Sequence, residues 1–425
     1  MIMNIMAKTN PNIIFLGIPS MGHILPTLSL VKALLQLKCK VTYYNTKNFQ
    51  EIIERSGASF IEYQSPTFDS LSIPITIMEP HELTVELQKA FFSVNNEVLP
   101  QIISDHQKLN FDLVIYDQMA LWGQVFADKF KLLCFCSNTM FLFNKHDIII
   151  QLPELVNCID SDYEVKLSLI QKNLTSIKSY GDILDIQTAA RADYIIAYYP
   201  SNLHSAPSNF NNNKILYLGN RFDSKYSPST ARLIPSSLIY ISLGTVFNDK
   251  PDLFKLFIQI LGNTEYKVIV STGGNERIFE LLEQENRFNN ITIYKFVDQL
   301  DILSKASIFI THAGFNGIYE GLYFTVPMLM IPHAPEQYFN AQKIAELCAG
   351  YFLDLAITPY ENFTLALETV EANWGNYKNT LLNIRKNILE SANNLDTAQC
   401  LIEIANHEKD NRHELENLNI EYDSF

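Results

Sequence analysis

Short apolar runs, each followed by a stretch with helical spacing, recur in two series along this chain, and that alternation implies parallel sheets built from strand–helix–strand units. In the first series Asn12 to Ile18 reads as a strand, and the stripe Ile24, Leu28, Val31, Leu35 marks a helix behind it. Val41 to Tyr44, Phe60 to Tyr63, Leu113 to Tyr116 and Leu132 to Ser137 continue the strands, with helices expected over Asn48 to Ser56, about His81 to Gln107, and Met119 to Phe130. The second series runs through Leu238 to Ser242, Lys267 to Ser271, Ile291 to Tyr294, Ser307 to Thr311 and Met328 to Ile331. A chain of 425 residues exceeds one hydrophobic core, so two series mean two domains.

Turn-rich segments around the strand-like Ile215 to Leu218 place the linker near residues 220 to 235, giving domains over 1–225 and 236–390. Helical stretches from about Pro359 to Ala405 follow, and 391–425 reads as a closing helix with an acidic tail, Glu408 to Phe425, expected to be solvated or frayed. Between about Met140 and Arg191 the periodicity weakens, and this is where a substrate pocket peculiar to the chain can be built.

Composition narrows the classes. A hydrophobic fraction of 47% against 18% charged residues supports folded cores rather than disorder. The net charge of −14 opposes attraction to nucleic acid or anionic lipid, leaving small-molecule partners as the natural expectation. Cysteines 39, 134, 136, 158, 348 and 400 lack metal-type spacing, and Cys134 and Cys136 are expected on one buried strand face. Met1 to Asn12 lacks a secretion signal and Ile13 to Ile18 is too short to span a bilayer, so a cytoplasmic protein without a transmembrane segment is expected. The triplets at Asn173, Asn290 and Asn362 then carry no glycan.

Two constellations can carry chemistry. Pro19-Ser20-Met21-Gly22-His23 stands where the first strand gives way to the first helix, and in open parallel sheets ligands bind beyond the carboxyl ends of the strands. A lone histidine there is often structural; Asp117, at the carboxyl end of another strand, changes that, because a carboxylate on one ring nitrogen leaves the other to take a proton. Asp117 by itself reads equally as a helix N-cap. In the second half, Thr311-His312-Ala313-Gly314-Phe315-Asn316-Gly317 joins an apolar run to a helix, whose N-terminus with about half a positive charge suits phosphate. Glu320 and the segment Ile331 to Gln337 add carboxylate and amide groups suited to vicinal hydroxyls, with surface polarity as the plainer reading of Glu336.

Taken together these segments resemble the family-1 glycosyltransferases, the UDP-glycosyltransferase superfamily, and among them the bacterial macrolide-type enzymes. The run from Phe296 through His312-Ala313-Gly314, Glu320, Pro327, Pro332, Glu336-Gln337 and Asn340-Ala341 looks like that family's nucleotide-sugar signature, and Ile13 through Gly22-His23 to Tyr44 like its opening. The resemblance implies an α/β fold of GT-B architecture, two Rossmann-like domains with parallel sheets facing across a cleft. It implies His23 as general base and Asp117 as its orienter, in an inverting single displacement. It implies donor contacts from Gly244, Thr245, Gln299, His312, Gly314, Asn316, Gly317, Glu320, Glu336 and Gln337. The donor would be a nucleotide sugar such as UDP-glucose, with no other cofactor and no metal.

Three departures stand out: Asp298 where the family usually has proline, Gly317 where serine or threonine is usual, and His333 where glutamine is frequent. A phosphate hydrogen bond lost at Gly317 would cost about 0.5–1.5 kcal/mol. Phe91, Trp122 and Phe141, with Phe92 and Phe143, suggest a flat or apolar acceptor such as a macrolide, polyketide or phenolic compound. Asp160-Ser161-Asp162 matches a metal-binding D-x-D pattern of other glycosyltransferases but sits in the least regular segment and reads as a solvated loop. Competing readings are a non-catalytic nucleotide-sugar binding protein, suggested by Gly317 and Asp298, and another GT-B enzyme such as a lipid-linked sugar transferase. A dinucleotide-dependent oxidoreductase would need G-x-G-x-x-G after the first strand, which Gly17 to Gly22 does not supply.

Overall fold

The computed structural model describes residues 10–69, 80–144, 189, 191–208, 210–222, 237–246, 248–355 and 362–422. The chain divides into two compact units: Met1–Leu71, Glu86–Arg221 and Ser391–Phe425 form one, Ser72–Val85 and Phe222–Glu390 the other. The first unit contains β1 (Asn12–Leu16), α1 (Met21–Gln36), β2 (Lys40–Asn45), α2 (Gln50–Glu54), β3 (Ser59–Glu62) and α3 (Pro66–Asp69). After α4 (Pro80–Leu109) come β4 (Leu113–Asp117), α5 (Leu121–Phe130), β5 (Leu133–Asn138), β6 (Tyr194–Ala197) and β7 (Ile215–Tyr217).

The second unit is built from β8 (Leu238–Ser242), α6 (Pro251–Leu261), β9 (Lys267–Ser271), α7 (Glu276–Glu285), β10 (Ile291–Tyr294), α8 (Gln299–Leu303), β11 (Ile308–Thr311) and α9 (Phe315–Phe324). It continues through β12 (Met328–Met330), α10 (Pro335–Glu346), β13 (Gly350–Phe352), α11 (Phe363–Ala372) and α12 (Trp374–Glu390). The last helix, α13 (Asn394–Tyr422), returns to the first unit and packs on α1.

Each unit has one sheet with every strand pair parallel. The first runs β3-β2-β1-β4-β5-β6-β7 and the second β10-β9-β8-β11-β12-β13. Both orders reverse beside the unit's own first strand, so each sheet has a topological switch point, between β1 and β4 and between β8 and β11. The strands at the switch points are buried throughout, as sheets covered on both faces require: Leu113 to Asp117 and Ile308 to Thr311 have no exposed residue. The edge strand β10 instead alternates buried and exposed residues.

Two cores hold these sheets. In the first, Phe15 stacks on Tyr43 at 4.3 Å, and Trp122 is ringed by Tyr63, Phe68 and Phe91. In the second, Phe254, Phe257 and Leu261 of α6 and Ile278 and Leu282 of α7 cover Val268, Val270 and Ile310. The Trp374 indole N–H donates to the Ser307 carbonyl at 2.9 Å, tying α12 to the start of β11. Lys378 lies buried and donates at 2.6 Å to both the carbonyl and the hydroxyl of Thr325, the residue that closes α9 in a left-handed conformation.

Several boundaries differ from the sequence reading. Asn48 to Ser56 divides into a 3-10 turn, Lys47–Phe49, and the short α2. The strands β6 and β13 were not expected. The acidic end is helical through Tyr422 rather than frayed from Glu408. Where the chain passes at residues 219–221 and again at 391–394, the two passages lie side by side: the Asn220 N–H donates to the Ala392 carbonyl at 3.1 Å and the Asn394 amide to the Arg221 carbonyl at 3.2 Å. Cys134 and Cys136 are buried as expected, their thiols pushed up by burial. Cys158, Asn173 and Asp160-Ser161-Asp162 lie outside the described residues. No helix among the described residues is long and apolar enough to cross a membrane.

Candidate active site

In the first unit β1 and β4 are neighbours in register, Leu16 opposite Tyr116, so their carboxyl ends emerge side by side. The turn after β1 is held tightly. A methyl at Gly17 would lie 2.8 Å from the Tyr43 ring, and the Asn45 amide donates to the Ile18 carbonyl at 3.0 Å. The Ser20 carbonyl accepts the N–H groups of His23 and Ile24, which starts α1 and sets His23 in its first turn.

Asp117 ends β4 at 1% exposure, and its Oδ2 lies 2.8 Å from His23 Nδ1. Its other oxygen accepts the Met119 N–H at 2.9 Å, so the carboxylate both holds the imidazole and closes the turn before α5. The N-cap reading of Asp117 is not met: the N-cap of α5 is Ala120, and Asp117 closes the turn before the helix instead. Thr139, just past β5, brings its hydroxyl to 3.1 Å from the same His23 nitrogen. An ionised carboxylate only accepts hydrogen bonds, so Nδ1 carries the proton, and Nε2 becomes the nitrogen that can act as base. The His23 side chain keeps 20% of its surface exposed while that of Asp117 keeps 2%, an orientation suited to a reacting ring backed by a buried carboxylate. Sequence reasoning missed Thr139; its one signal was a polar residue following an apolar strand.

The three aromatic residues proposed for the acceptor are core residues in the structure. Trp122 is fully buried and its N–H donates to the Tyr63 hydroxyl at 3.0 Å. Phe91 is 5% exposed against Trp122, and Phe141, at 1%, packs on Tyr199 and His204. Packed in this way they present almost no surface to an acceptor, a correction to the sequence reading. The Phe92 side chain lies outside the described residues.

In the second unit the switch point lies between β8 and β11, with Ser242 opposite Thr311. His312 follows β11, and the next residue, Ala313, takes φ +66 although it is not glycine. Strain of this kind, on the order of 1–2 kcal/mol, persists only where neighbours hold it. Here the Asn340 amide donates to the Ala313 carbonyl at 3.0 Å and the Ala313 N–H donates to the Thr311 hydroxyl at 3.3 Å. The imidazole sits between two turns: a methyl at Gly244 (φ +78) would come within 2.6 Å of it, and one at Gly314 within 2.4 Å of Nε2. Gly314 is the N-cap of α9 and no side chain caps that helix end. Burial holds the His312 imidazole down to about 4, with the nearby Ser242 backbone opposing the shift, so the ring is neutral at neutral pH.

Gln299 and Glu320, assigned from the resemblance to base and ribose, meet in the structure. The Gln299 amide N–H donates to Glu320, and its oxygen accepts from the Tyr240 hydroxyl at 2.8 Å. Tyr240 was not foreseen; burial pushes its hydroxyl well above the usual range, which keeps it a donor. Asp298, the departure from proline, caps α8 by accepting the Asp301 N–H at 3.2 Å. Gln337 is 2% exposed and its carbonyl oxygen caps α10, accepting from His333 at 2.9 Å and Ala334 at 3.1 Å. Only its NH2 group can then serve a sugar hydroxyl. Glu336 stands beside it, half-buried in the first turn of α10, and Thr245 is exposed after β8.

A side chain at Gly317 is sterically allowed, because a methyl there would make ordinary contacts of 3.6 Å with Phe309 and Thr311. Replacing Gly317 with Ala is expected to raise thermal stability by about 0.5–1 kcal/mol through helix propensity. A melting curve that shows destabilisation would contradict this account of the position.

Comparison with known proteins fits this geometry. Residues 222–413 match the family model described as UDP-glucoronosyl and UDP-glucosyl transferase. The NDP-glycosyltransferase YjiC of Bacillus licheniformis is 30% identical over 356 residues, covering 80% of this chain and 85% of the relative. The chain belongs to the family-1 glycosyltransferases. Among solved structures, this glycosyltransferase resembles that of kitacinnamycin with a TM-score of 0.77 at 19% identity, over 93% of this chain and 99% of the other. Glycosyltransferase SsfS6 of Streptomyces sp. SF2575, determined with thymidine diphosphate, gives 0.64 at 14% identity, over 92% and 99% of the two chains. These likenesses bear on the fold, two Rossmann-like units of the GT-B type.

Proposed function

We propose that this glycosyltransferase moves a hexose from UDP-glucose or a close analogue to a hydroxyl of a small apolar acceptor, such as a macrolide, polyketide or phenolic compound, with inversion and without a metal. The observation that carries the mechanism is the His23–Asp117 contact of 2.8 Å, backed by Thr139. His23 Nε2 takes the acceptor hydroxyl proton as that oxygen attacks the anomeric carbon. The new carbon–oxygen bond forms as the bond to the diphosphate breaks, and the imidazolium beside Asp117 later releases its proton to solvent. One displacement from the opposite face inverts the anomeric centre.

In the second unit, the N-terminus of α9 supplies positive potential and the neutral His312 ring an N–H donor for the departing diphosphate, so the reaction does not call on a divalent cation. The Tyr240–Gln299–Glu320 chain offers fixed polar groups for the nucleoside, and Glu336 with the Gln337 NH2 for sugar hydroxyls.

The donor is the sharpest open choice, since one relative is described only as acting on nucleoside-diphosphate sugars and one solved structure holds thymidine diphosphate. Initial rates with UDP-glucose, UDP-glucuronate and dTDP-glucose, each against a shared acceptor mixture with EDTA present, test it. The expected result is fastest transfer from UDP-glucose. Preference for dTDP-glucose, or activity only after metal is restored, would overturn this reading of the donor.

A further inference from the structure

We propose that His333 is a second imidazole ligand of the donor diphosphate, its Nε2–H donating to a phosphoryl oxygen beside His312. The inference rests on the reading of the second unit as the nucleotide-sugar site and adds to it a residue where the family frequently has glutamine.

The placement comes from neighbouring strands. β11 and β12 pair in parallel, and the Ile331 N–H donates to the Thr311 carbonyl at 2.8 Å, so the ladder continues to the residues just before the two imidazoles. Gln337 Oε1 then fixes the backbone of His333 and Ala334 through the two hydrogen bonds described above. The ring is therefore carried by a held backbone, not a loose loop.

Its chemistry lacks a counterpart. Nε2 of His333 and Nδ1 of His312 are both buried ring nitrogens without a hydrogen-bond partner in the structure. Buried polar atoms in a folded protein are nearly always paired, and an unpaired one calls for a ligand or another explanation. Two at the carboxyl ends of the neighbouring strands β11 and β12 point to one ligand.

Lys250 places a positive charge near the ring. Burial is the main influence on His333 and holds it down to about 3; His312 and the exposed Lys250 push the same way, as positively charged or chargeable neighbours do. A neutral imidazole in such a field donates its single N–H to a phosphoryl oxygen without first taking up a proton.

Affinities of uridine, UDP and UDP-glucose for the full-length wild-type protein, His333→Ala and His333→Gln test the proposal, by calorimetry for the nucleotides and ligand-observed NMR for uridine. His333→Ala is expected to weaken UDP and UDP-glucose alike by about ten-fold and to leave uridine unchanged, with His333→Gln, which keeps an N–H donor, within about three-fold of wild type. Weakening of UDP-glucose alone would make His333 a sugar contact, and equal weakening of all three a structural residue; either result overturns the proposal. The glutamine variant guards against a misfolded alanine variant, since its UDP affinity falling as far as that of His333→Ala also overturns it. If the wild-type protein binds neither UDP nor UDP-glucose, the nucleotide-sugar reading of the unit fails first, which is a distinct outcome.

Discussion

Replacing His23 with alanine is expected to lower kcat/KM for sugar transfer by about 10³-fold while UDP affinity stays within about two-fold of wild type. The reasoning is local to the first unit. His23 is part-exposed, its Nδ1 is held by a buried carboxylate at 2.8 Å, and Thr139 steadies the same nitrogen at 3.1 Å. A hydroxyl nucleophile is poor until a base takes its proton, and that is the contribution the alanine variant loses. Asp117→Asn is expected to fall less, by about 10–100-fold, because an amide can still accept from Nδ1–H but no longer stabilises the imidazolium. Stopped-time assays with donor varied at a fixed, saturating acceptor separate the effects: both variants should lose kcat with little change in donor KM. A His23→Ala enzyme within about three-fold of wild type would remove the base from the mechanism.

Gly244→Ala is the second substitution with a large expected effect, and it acts on the second unit. Gly244 adopts φ +78, which an alanine enters only with strain, and the added methyl would lie 2.6 Å from the His312 ring. Strain on the order of 1–3 kcal/mol concentrated on the residue proposed to face the diphosphate predicts UDP binding weaker by about 10–100-fold. Gly317→Ala, where a methyl fits at 3.6 Å, is the matched control and should bind UDP within about three-fold of wild type. Equal affinities for Gly244→Ala and wild type, by titration calorimetry, would show that the His312 loop has no part in holding the nucleotide.

Much of this site was legible before any coordinates, for a physical reason. In a parallel sheet the residue after an apolar run stands at the carboxyl edge, so His23, Asp117 and His312 could be placed by their neighbours alone. β8, β9 and β10 begin and end where the apolar runs do, because β-branched and aromatic residues fill each run and favour the strand whichever face is buried. The parts that were not legible depend on partners distant in sequence. The Trp122 ring read as a surface for a ligand until its N–H proved to be satisfied by Tyr63, 59 residues away. Gln337 read as a sugar ligand, yet half of its amide closes a helix end, and Thr139 and Tyr240 gained their roles only through contacts made across the sheet. β13, three residues long and starting with glycine, carried too little apolar pattern to register as a strand.

The measurement that bears most directly on the central claim is product mass. Purified wild-type protein and His23→Ala, each with EDTA, are incubated with UDP-glucose and a mixed set of macrolide, polyketide and phenolic acceptors, and the products are weighed by mass spectrometry. The account predicts acceptor carrying one hexose from the wild type, and at most trace product from the variant. Hexose transfer undiminished in the variant, or UDP-glucose bound by wild type and neither transferred nor hydrolysed, would contradict it.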